Sequence, residues 1–310
     1  MRLDFSAWRR PLGRAAESVL EWLADRRGYE LVRDDYYSPL PDIGELPASV
    51  LNEEQRPTRL DLGLERSELL LTRDLAPLIP DLRASAPESL IPGFSLSNGT
   101  YESADAETLY AMVRLLSPST IVELGSGASS HIISAARATL DAPSKHIIHD
   151  PFPFSATQMG PVPDATISET PTQLLSPDDL SILGPGDLLF IDTTHTVKTG
   201  GDCARLYLDL LPSVAPGVFV HIHDVFTPFD YPRHWVVDLG RAWAEQYLLE
   251  AFLLFNDDFR VVLPVHALSR LKPEAVAAVI PSFRSDAFSP AVFPAAFWLV
   301  RLPCDKPFLR

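Results

Sequence analysis

The chain is poor in cysteine, with only Cys203 and Cys304 among its 310 residues. Two cysteines are too few for a disulfide framework, and their spacing fits no metal site. Both are therefore expected to be reduced thiols of a cytoplasmic protein. A chain of this length buries about three quarters of the surface that its unfolded form exposes, so its core needs no covalent cross-links.

Basic residues are scarce relative to acidic ones. Lys and Arg number 26 against 41 Asp and Glu, which gives a formal net charge of −15. No block of Lys or Arg interrupts this acidic balance, and nucleic acid is therefore disfavoured as a partner.

Long apolar runs are also missing. Residues 1–22 mix Arg9, Arg10 and Arg14 with Asp4 and Glu17. Neither this segment nor any later one is apolar for long enough to form a signal peptide or to span a bilayer. The pattern disfavours secretion and a membrane partner, and a cytoplasmic location is expected.

Glycine is scarce as well, at 15 residues against 29 prolines. Nine of the prolines lie before residue 95, where turn and extended patterns interrupt the helical periodicity. Within that part, helices are predicted over 12–26 and 67–75. We expect residues 1–97 to form an N-terminal extension that caps the site and selects the substrate, and residues 98–310 to form the main domain.

In the main domain, short β-branched or aromatic runs alternate with helical stretches. This alternation is typical of a mostly parallel sheet covered by helices on both faces. Strands are predicted over residues 120–124, 145–149, 165–168, 187–191, 218–223, 259–263 and 296–301. Helices are predicted over 105–116, 129–140, 202–211 and 243–255. The predicted fold class is α/β, a doubly wound seven-stranded sheet, with an antiparallel partner among the last two strands.

Carboxylates follow five of the predicted strands. In open α/β sheets, ligands bind in the crevice beyond the carboxyl ends of the strands. The acids at those ends are Glu123, Asp150, Glu169, Asp192 and Asp224. We expect them to face one ligand that carries positive charge. The alternative is that strand ends simply favour polar residues.

The first predicted strand runs into the sequence Glu123-Leu124-Gly125-Ser126-Gly127. Two glycines separated by one residue allow a tight turn and close approach of a ligand before a helix begins. A dinucleotide-binding turn would have a third glycine where Ser130 stands. Glu123 would repel a pyrophosphate but attract a ligand with an ammonium and a sulfonium group, such as S-adenosylmethionine.

A second pair of motifs lies at the ends of the fourth and fifth predicted strands. They are Asp192-Thr193-Thr194-His195 and His221-Ile222-His223-Asp224. Together with the glycine turn, they resemble class I S-adenosylmethionine-dependent methyltransferases. The similarity is to a subgroup with an Asp-x-x-His fourth motif and a His-Asp fifth strand, which includes sugar O-methyltransferases of natural-product pathways. The resemblance covers roughly residues 101–301.

The resemblance implies a set of cofactor contacts. S-adenosylmethionine would be the cofactor, and its methionine part would be bound by Glu123 and by Gly125, Ser126 and Gly127. Asp150 would accept hydrogen bonds from the ribose hydroxyls. The remaining residues that would border the cofactor are Asp192, Tyr101 and Asp105, with Glu169 near the adenine.

The resemblance also implies catalytic residues. Methyl transfer is an in-line displacement, so the enzyme must align donor and acceptor and remove a proton from a hydroxyl acceptor. His195 is the candidate base, because an ordinary imidazole titrates near pH 6.5. Asp192, His223 and Asp224 complete the catalytic set. Asp224 is expected either to orient His195 or to join Asp192 in binding a divalent cation such as Mg²⁺. His221 is expected to be structural.

The sequence thus predicts an enzyme that methylates an oxygen of a small or glycosylated metabolite. Two other functions stay open. One is a nicotinamide- or nucleotide-sugar-dependent α/β enzyme, whose glycine turn would face phosphates. The other is a non-catalytic cofactor-binding module on the same fold. A small-molecule acceptor is the expected partner, and a homo-oligomer is left open.

Overall fold

The computed structural model describes residues 14–32, 36–84, 99–153, 162–280, 282–283, 294–303 and 306–309. The chain divides into two compact units, Met1–Glu45 and Leu46–Arg310. This division falls well before the boundary expected near residue 97, because apolar residues such as Leu70 and Leu75 pack into the core of the sheet. Cys203 is a free, buried thiol, and Cys304 lies outside the described residues.

The first unit contains the amphipathic helix predicted from its periodicity. Helix α1 spans Arg14–Asp25, and a 3-10 turn spans Ile43–Glu45. The helix prediction for this segment is confirmed. A role of residues 1–97 in substrate selection stays a prediction.

The second unit is built on a seven-stranded sheet with the order β3-β2-β1-β4-β5-β7-β6. Its strands are β1 Thr120–Leu124, β2 Lys145–His149, β3 Ala165–Ser168, β4 Leu188–Ile191, β5 Phe219–Ile222, β6 Phe259–Pro264 and β7 Phe297–Arg301. Strand β7 runs antiparallel to both of its neighbours, and the other pairs are parallel. The predicted fold class, the strands and the antiparallel partner are confirmed.

Helices cover the sheet on both sides. They are α2 Ala48–Leu51, α3 Leu64–Leu69, α4 Ile79–Ala84, α5 Asp105–Leu116, α6 Ala128–Arg137, α7 Pro177–Leu180, α8 Asp202–Arg205, α9 Glu245–Leu254, α10 Val265–Leu271 and α11 Pro273–Val279. Two of them continue as π-helical turns, α3 into Leu70–Leu75 and α8 into Leu206–Leu210. None of the helices in the described part of the chain is long and apolar enough to cross a membrane.

Most of the core lies in two apolar layers, one on each face of the sheet, and a smaller cluster contains Phe226, Tyr231 and Trp235. Side chains alternate between the two faces along a strand. Ile121 of β1 accordingly packs in the layer that contains Leu109 of α5, whereas Val122 packs in the layer that contains Leu249 of α9. Each fully buried aliphatic side chain of this kind contributes about 1.5–3 kcal/mol.

The winding of the sheet reverses between β1 and β4. Strand β1 pairs with β2 on one side and with β4 on the other, and their connecting helices lie on opposite faces. Such a reversal opens a crevice beyond the carboxyl ends of the two strands. The residues that follow β1 and β4 therefore lie together at one edge of the sheet.

Candidate active site

The glycine turn after β1 is packed directly against the end of β4. Gly125 has a φ of 87°, and a Cβ atom built on it would lie 1.8 Å from the carbonyl oxygen of Asp192. The Asp192 amide in turn donates to the carbonyl of Leu124 at 2.9 Å. Only glycine satisfies both the backbone conformation and this close approach.

Glu123, at the end of β1, lies entirely inside the protein. Its Oε1 accepts hydrogen bonds from the hydroxyls of Ser129 and Ser130, both at 2.9 Å, and its Oε2 lies 2.7 Å from Nε2 of His146. Ser130 also accepts a bond from the amide of Gly127 at 3.1 Å. The serine that replaces a third glycine thus links Glu123 to the turn, and Glu123 fixes the shape of the turn from within.

Asp150, which follows β2, holds the other side of the turn. Its Oδ2 accepts bonds from the amide and the hydroxyl of Ser126 at 2.8 and 2.6 Å. Its Oδ1 accepts from the amide of Phe152 at 2.7 Å. Glu169 is exposed beyond β3. The expectation that five carboxylates face one ligand is therefore wrong for Glu123. This side chain is fully buried, and both of its carboxylate oxygens are hydrogen-bonded inside the protein.

The remaining two acids form a cluster with two imidazoles. Nε2 of His195 lies 3.1 Å from Oδ1 of Asp192 and 3.3 Å from Oδ2 of Asp224. Nδ1 of His223 lies 3.5 Å from Asp192 and 3.7 Å from Asp224. These four residues, which we call the His-Asp cluster, stand at the carboxyl ends of β4 and β5. The structure thus brings together the four predicted catalytic residues.

Two members of the cluster have a left-handed backbone. His195 has a φ of 56° and Asp224 has a φ of 57°. This conformation costs a non-glycine residue about 1–2 kcal/mol. Residues with such strain occur most often where a side chain must point in one required direction.

Glu245, the first residue of α9, is a member of the site that the sequence did not indicate. Its Oε2 accepts a hydrogen bond from Nδ1 of His195 at 2.8 Å, and its Oε1 accepts one from the hydroxyl of Tyr207 at 3.0 Å. The amides of Ala244 and Glu245 also donate to the His195 carbonyl. Because acids are common in the first turn of helices, the local sequence offered no signal that singled out Glu245.

Asp105 and Tyr101, predicted to border the cofactor, are buried behind the cluster. Oδ2 of Asp105 lies 3.2 Å from Nε2 of His223, and the carboxylate accepts bonds from the amides of Ala295 and Ala296 at 2.7 and 2.9 Å. The Tyr101 hydroxyl lies 3.1 Å from Nε2 of His221, which is fully buried. In the structure Tyr101 holds an imidazole of β5 in place and Asp105 holds the imidazole just after β5, and their contact with a cofactor stays a prediction.

The charges of the cluster stabilise one another. Burial would raise the pKa of Asp192, but the charge of His223 and the hydrogen bond from His195 outweigh it and lower that pKa to about 2. Burial would lower the pKa of His223, but Asp224, Asp192 and Asp105 raise it to about 9. Near neutral pH, His223 is therefore a cation paired with ionised Asp192.

The pKa values of His195 and Asp224 are both raised. Burial lowers the pKa of His195, but the hydrogen bonds to Asp192 and Glu245 outweigh it and hold that pKa well above 6.5. Burial raises the pKa of Asp224, against the lowering effect of His223 and His195. His195 therefore carries a proton near neutral pH, and it becomes a base only in its deprotonated fraction.

The cluster also offers a set of metal-binding atoms. One ligand atom each from Asp192, His223 and Asp224 lies within 4.8 Å of the others. Two carboxylates and one imidazole suit a divalent metal, although Mg²⁺ prefers oxygen ligands alone. In the geometry described, the protonated imidazoles already balance the carboxylates, so the arrangement fits Mg²⁺ poorly.

Residues 122–225 match a protein family described as Methyltransferase domain. The matched stretch is about a third of the chain and runs from β1 to the residue after Asp224. Over this stretch, which includes the central strands of the seven-stranded sheet, the chain is similar to methyltransferase domains. This similarity supports the class of enzyme that the sequence predicted, a methyltransferase. No curated protein matches the chain at a significant level.

Several solved structures are similar to this chain. A candidate methyltransferase from Thermobifida fusca is 18% identical over 84% of this chain and 99% of its own, with a TM-score of 0.41. The S-adenosylhomocysteine-bound methyltransferase PaMTH1 of Podospora anserina is 14% identical over 80% and 98%, with a TM-score of 0.40. A candidate O-methyltransferase from Klebsiella pneumoniae is 17% identical over 60% and 81%, with a TM-score of 0.35. At these scores, the likeness carries no argument about substrate or mechanism.

Proposed function

We propose that the protein transfers the methyl group of S-adenosylmethionine to an oxygen of a small or glycosylated metabolite, with His195 as the general base. The observation that carries this proposal is the position of His195. Its Nε2 lies 3.1 Å from Asp192, just past β4, and Asp192 packs against the glycine turn. A proton acceptor thus stands beside the part of the fold where a cofactor binds.

The turn and its surroundings suit a cofactor with positive charge. The backbone of Gly125, Ser126 and Gly127 would hold the methionine part, with Glu123 fixing the turn from within. Asp150 uses three of its roughly four acceptor sites on Ser126 and Phe152, which leaves capacity for a ribose hydroxyl. Asp192 is about one third exposed, so it can face the cofactor, with Tyr101 and Asp105 behind it.

The proton step depends on the tautomer of His195. Glu245 accepts the Nδ1 proton, so Nε2 is the atom that takes and returns a proton. Asp192 and Asp224 flank Nε2 and stabilise the imidazolium that forms when a hydroxyl is deprotonated. When bound, S-adenosylmethionine supplies a strongly electrophilic methyl group. A positioned base of this kind typically accelerates a reaction by about 10²–10⁴-fold.

A divalent cation held by Asp192 and Asp224 is the alternative for the proton step, although the protonated imidazoles beside these carboxylates fit Mg²⁺ poorly. Such a cation would lower the pKa of an acceptor hydroxyl. His195 would then act beside the metal rather than on it. Labelling assays with and without a chelator decide between the two, because loss of turnover with chelator that Mg²⁺ restores would support the cation.

The experiment that tests the proposal has two parts. Calorimetric titration with S-adenosylhomocysteine and with NAD examines the cofactor, and binding of NAD alone would refute the proposal. The protein is then incubated with labelled S-adenosylmethionine and a metabolite extract of its source organism. We expect labelled products in which the methyl group is on oxygen, and we expect His195→Ala to abolish them. If the cofactor binds but no product is labelled, a non-catalytic binding module becomes the better account.

A further inference from the structure

An arginine is held between two indole rings close to the His-Asp cluster. Cζ of Arg241 lies 4.3 Å from the ring centre of Trp235 and 4.3 Å from that of Trp243. The two indoles meet edge to face, with centres 5.2 Å apart and planes at 78°. The amide of Arg241 also donates to the Trp235 carbonyl at 2.9 Å. Both the backbone and the side chain of Arg241 are therefore fixed.

One of the two indoles, that of Trp243, packs against the proposed base, His195. The ring of Trp243 lies 4.5 Å from the imidazole of His195, measured between centres. Cζ of Arg241 lies 4.3 Å from the centre of the same Trp243 ring. The separation between Cζ of Arg241 and the His195 ring centre therefore cannot exceed these two distances added together. A small acceptor can span this separation.

Within the part of the chain that the structure describes, no carboxylate forms an ion pair with the guanidinium of Arg241 and no acceptor takes its side-chain N–H groups. Arg56 differs, since it forms ion pairs with Asp230 and Glu250. Stacking on indoles uses the faces of a guanidinium and leaves its edge free for a planar anion.

The negative charge around Arg241 gives its positive charge a role in binding an anionic acceptor. The chain has a net charge of −15, and with Glu245 and Asp105 included, the carboxylates around His195 and His223 outnumber these two protonated imidazoles. Such a field repels an anionic acceptor unless a fixed cation binds it. A half-buried guanidinium that two rings hold in place provides this cation at little cost in side-chain entropy.

We propose that Arg241 binds a carboxylate or phosphate group of the acceptor, so that the substrate is a hydroxylated metabolite with a negative charge. The proposal rests on the proposed function for the transfer itself. Arg241 is the specificity-determining residue in this account: it binds the anion through two parallel N–H···O bonds while the hydroxyl of the acceptor faces His195. No covalent change occurs at the arginine.

Direct binding is tested on the full chain saturated with S-adenosylhomocysteine. Benzoate, phenyl phosphate and the neutral benzamide are titrated while tryptophan emission is recorded, because Trp235 and Trp243 flank the guanidinium. We expect a saturable response to one or both anions and none to benzamide. Arg241→Gln should weaken anion binding by about tenfold or more. Arg270→Gln is the matched control, since Arg270 stacks on Phe229 and donates to the Glu53 carbonyl.

The substrate class is tested with labelled S-adenosylmethionine and metabolite extract, followed by anion-exchange separation of the products. We expect labelled products to be retained by the exchanger, and Arg241→Gln to raise KM for them with little change in kcat. Neutral labelled products, or anion responses equal in wild type and Arg241→Gln, would overturn the inference and leave methyl transfer intact. Failure to bind S-adenosylhomocysteine would instead refute the proposed function, whatever the anion titration shows.

Discussion

The Nδ1 atom of His195 lies 2.8 Å from Oε2 of Glu245, although the two residues are 50 positions apart in the chain. Glu245 is buried at the start of α9, where the Tyr207 hydroxyl donates to its second oxygen. A buried carboxylate with two fixed donors cannot turn away. His195 is therefore held in one orientation, and when the imidazolium loses a proton it keeps the one on Nδ1, so that Nε2 is the atom that acts as the base.

Replacing Glu245 by Gln should shift the pH dependence of methyl transfer to lower pH. The carboxylate is among the causes that raise the pKa of His195 well above 6.5. The neutral, basic form of His195 therefore increases with pH, and the wild-type rate should rise through the alkaline range. Without the negative charge, the inflection in kcat/KM should move toward pH 6.5 while kcat falls, because the orienting bond is weaker.

The control for this experiment is Glu274→Gln. Glu274 is an exposed acid in the first turn of α11, as Glu245 is in the first turn of α9. Glu274→Gln should leave the pH dependence of methyl transfer unchanged. S-adenosylhomocysteine affinity should be equal in wild type and Glu245→Gln, which separates positioning of the base from a general structural defect. An unchanged profile in Glu245→Gln would contradict the assigned role.

Replacing Gly125 by Ala should abolish cofactor binding. The added methyl group would lie 1.8 Å from the Asp192 carbonyl oxygen, so both the turn and the end of β4 must move. Gly200→Ala is the matched control, because Gly200 also has a positive φ of 70° but nothing within 4 Å of the added carbon. The control should cost about 1–2 kcal/mol of stability and retain binding of S-adenosylhomocysteine by calorimetry. Equal binding losses in the two variants would show that only backbone strain matters.

The free energy of unfolding should fall as pH rises from about 6.5 to about 9. Burial would lower the pKa of His223, but Asp224, Asp192 and Asp105 raise it to about 9 in the folded protein. A group whose pKa is raised on folding contributes its full stabilisation below its unfolded value and loses it as pH passes the folded value. Urea denaturation at both ends of this range, with chelator present, measures the effect.

His223→Gln should flatten that pH dependence, because the residue that loses its proton is then missing. His195, whose pKa also lies well above 6.5, contributes a remaining slope of the same sign. A slope in the variant as steep as that of the wild type would exclude His223 as a source.

Arg56→Gln should destabilise the domain by about 2–4 kcal/mol. Arg56 pairs with Asp230, at 2.8 Å, and with Glu250, and its removal leaves two largely buried carboxylates without a cation. Arg73→Gln is the control, because Arg73 pairs with Asp74 on the surface and such pairs contribute little. Denaturant midpoints compare the two variants. Equal midpoints for Arg56→Gln and wild type would contradict the prediction.

The strands of this fold could be read from the sequence almost residue by residue. Thr120–Leu124, Lys145–His149 and Ala165–Ser168 begin and end where they were predicted, because their β-branched residues favour strands. The pairing of Asp192 and His195 was also predictable. His195 is only three residues beyond Asp192, so both lie near the carboxyl end of β4. The helix bounds were less certain, as helix ends fray and depend on capping contacts.

The amino-acid sequence by itself determined the sheet, its antiparallel strand and the meeting of Asp192, His195, His223 and Asp224. Local periodicity and strand ends suffice for those features. Only the tertiary structure decided that Glu123 is buried, that Glu245 accepts a hydrogen bond from His195, and that two indole rings pack against Arg241. These contacts join residues from separate loops and helices, and their partners are set by the packing of the whole domain, on which no local pattern reports.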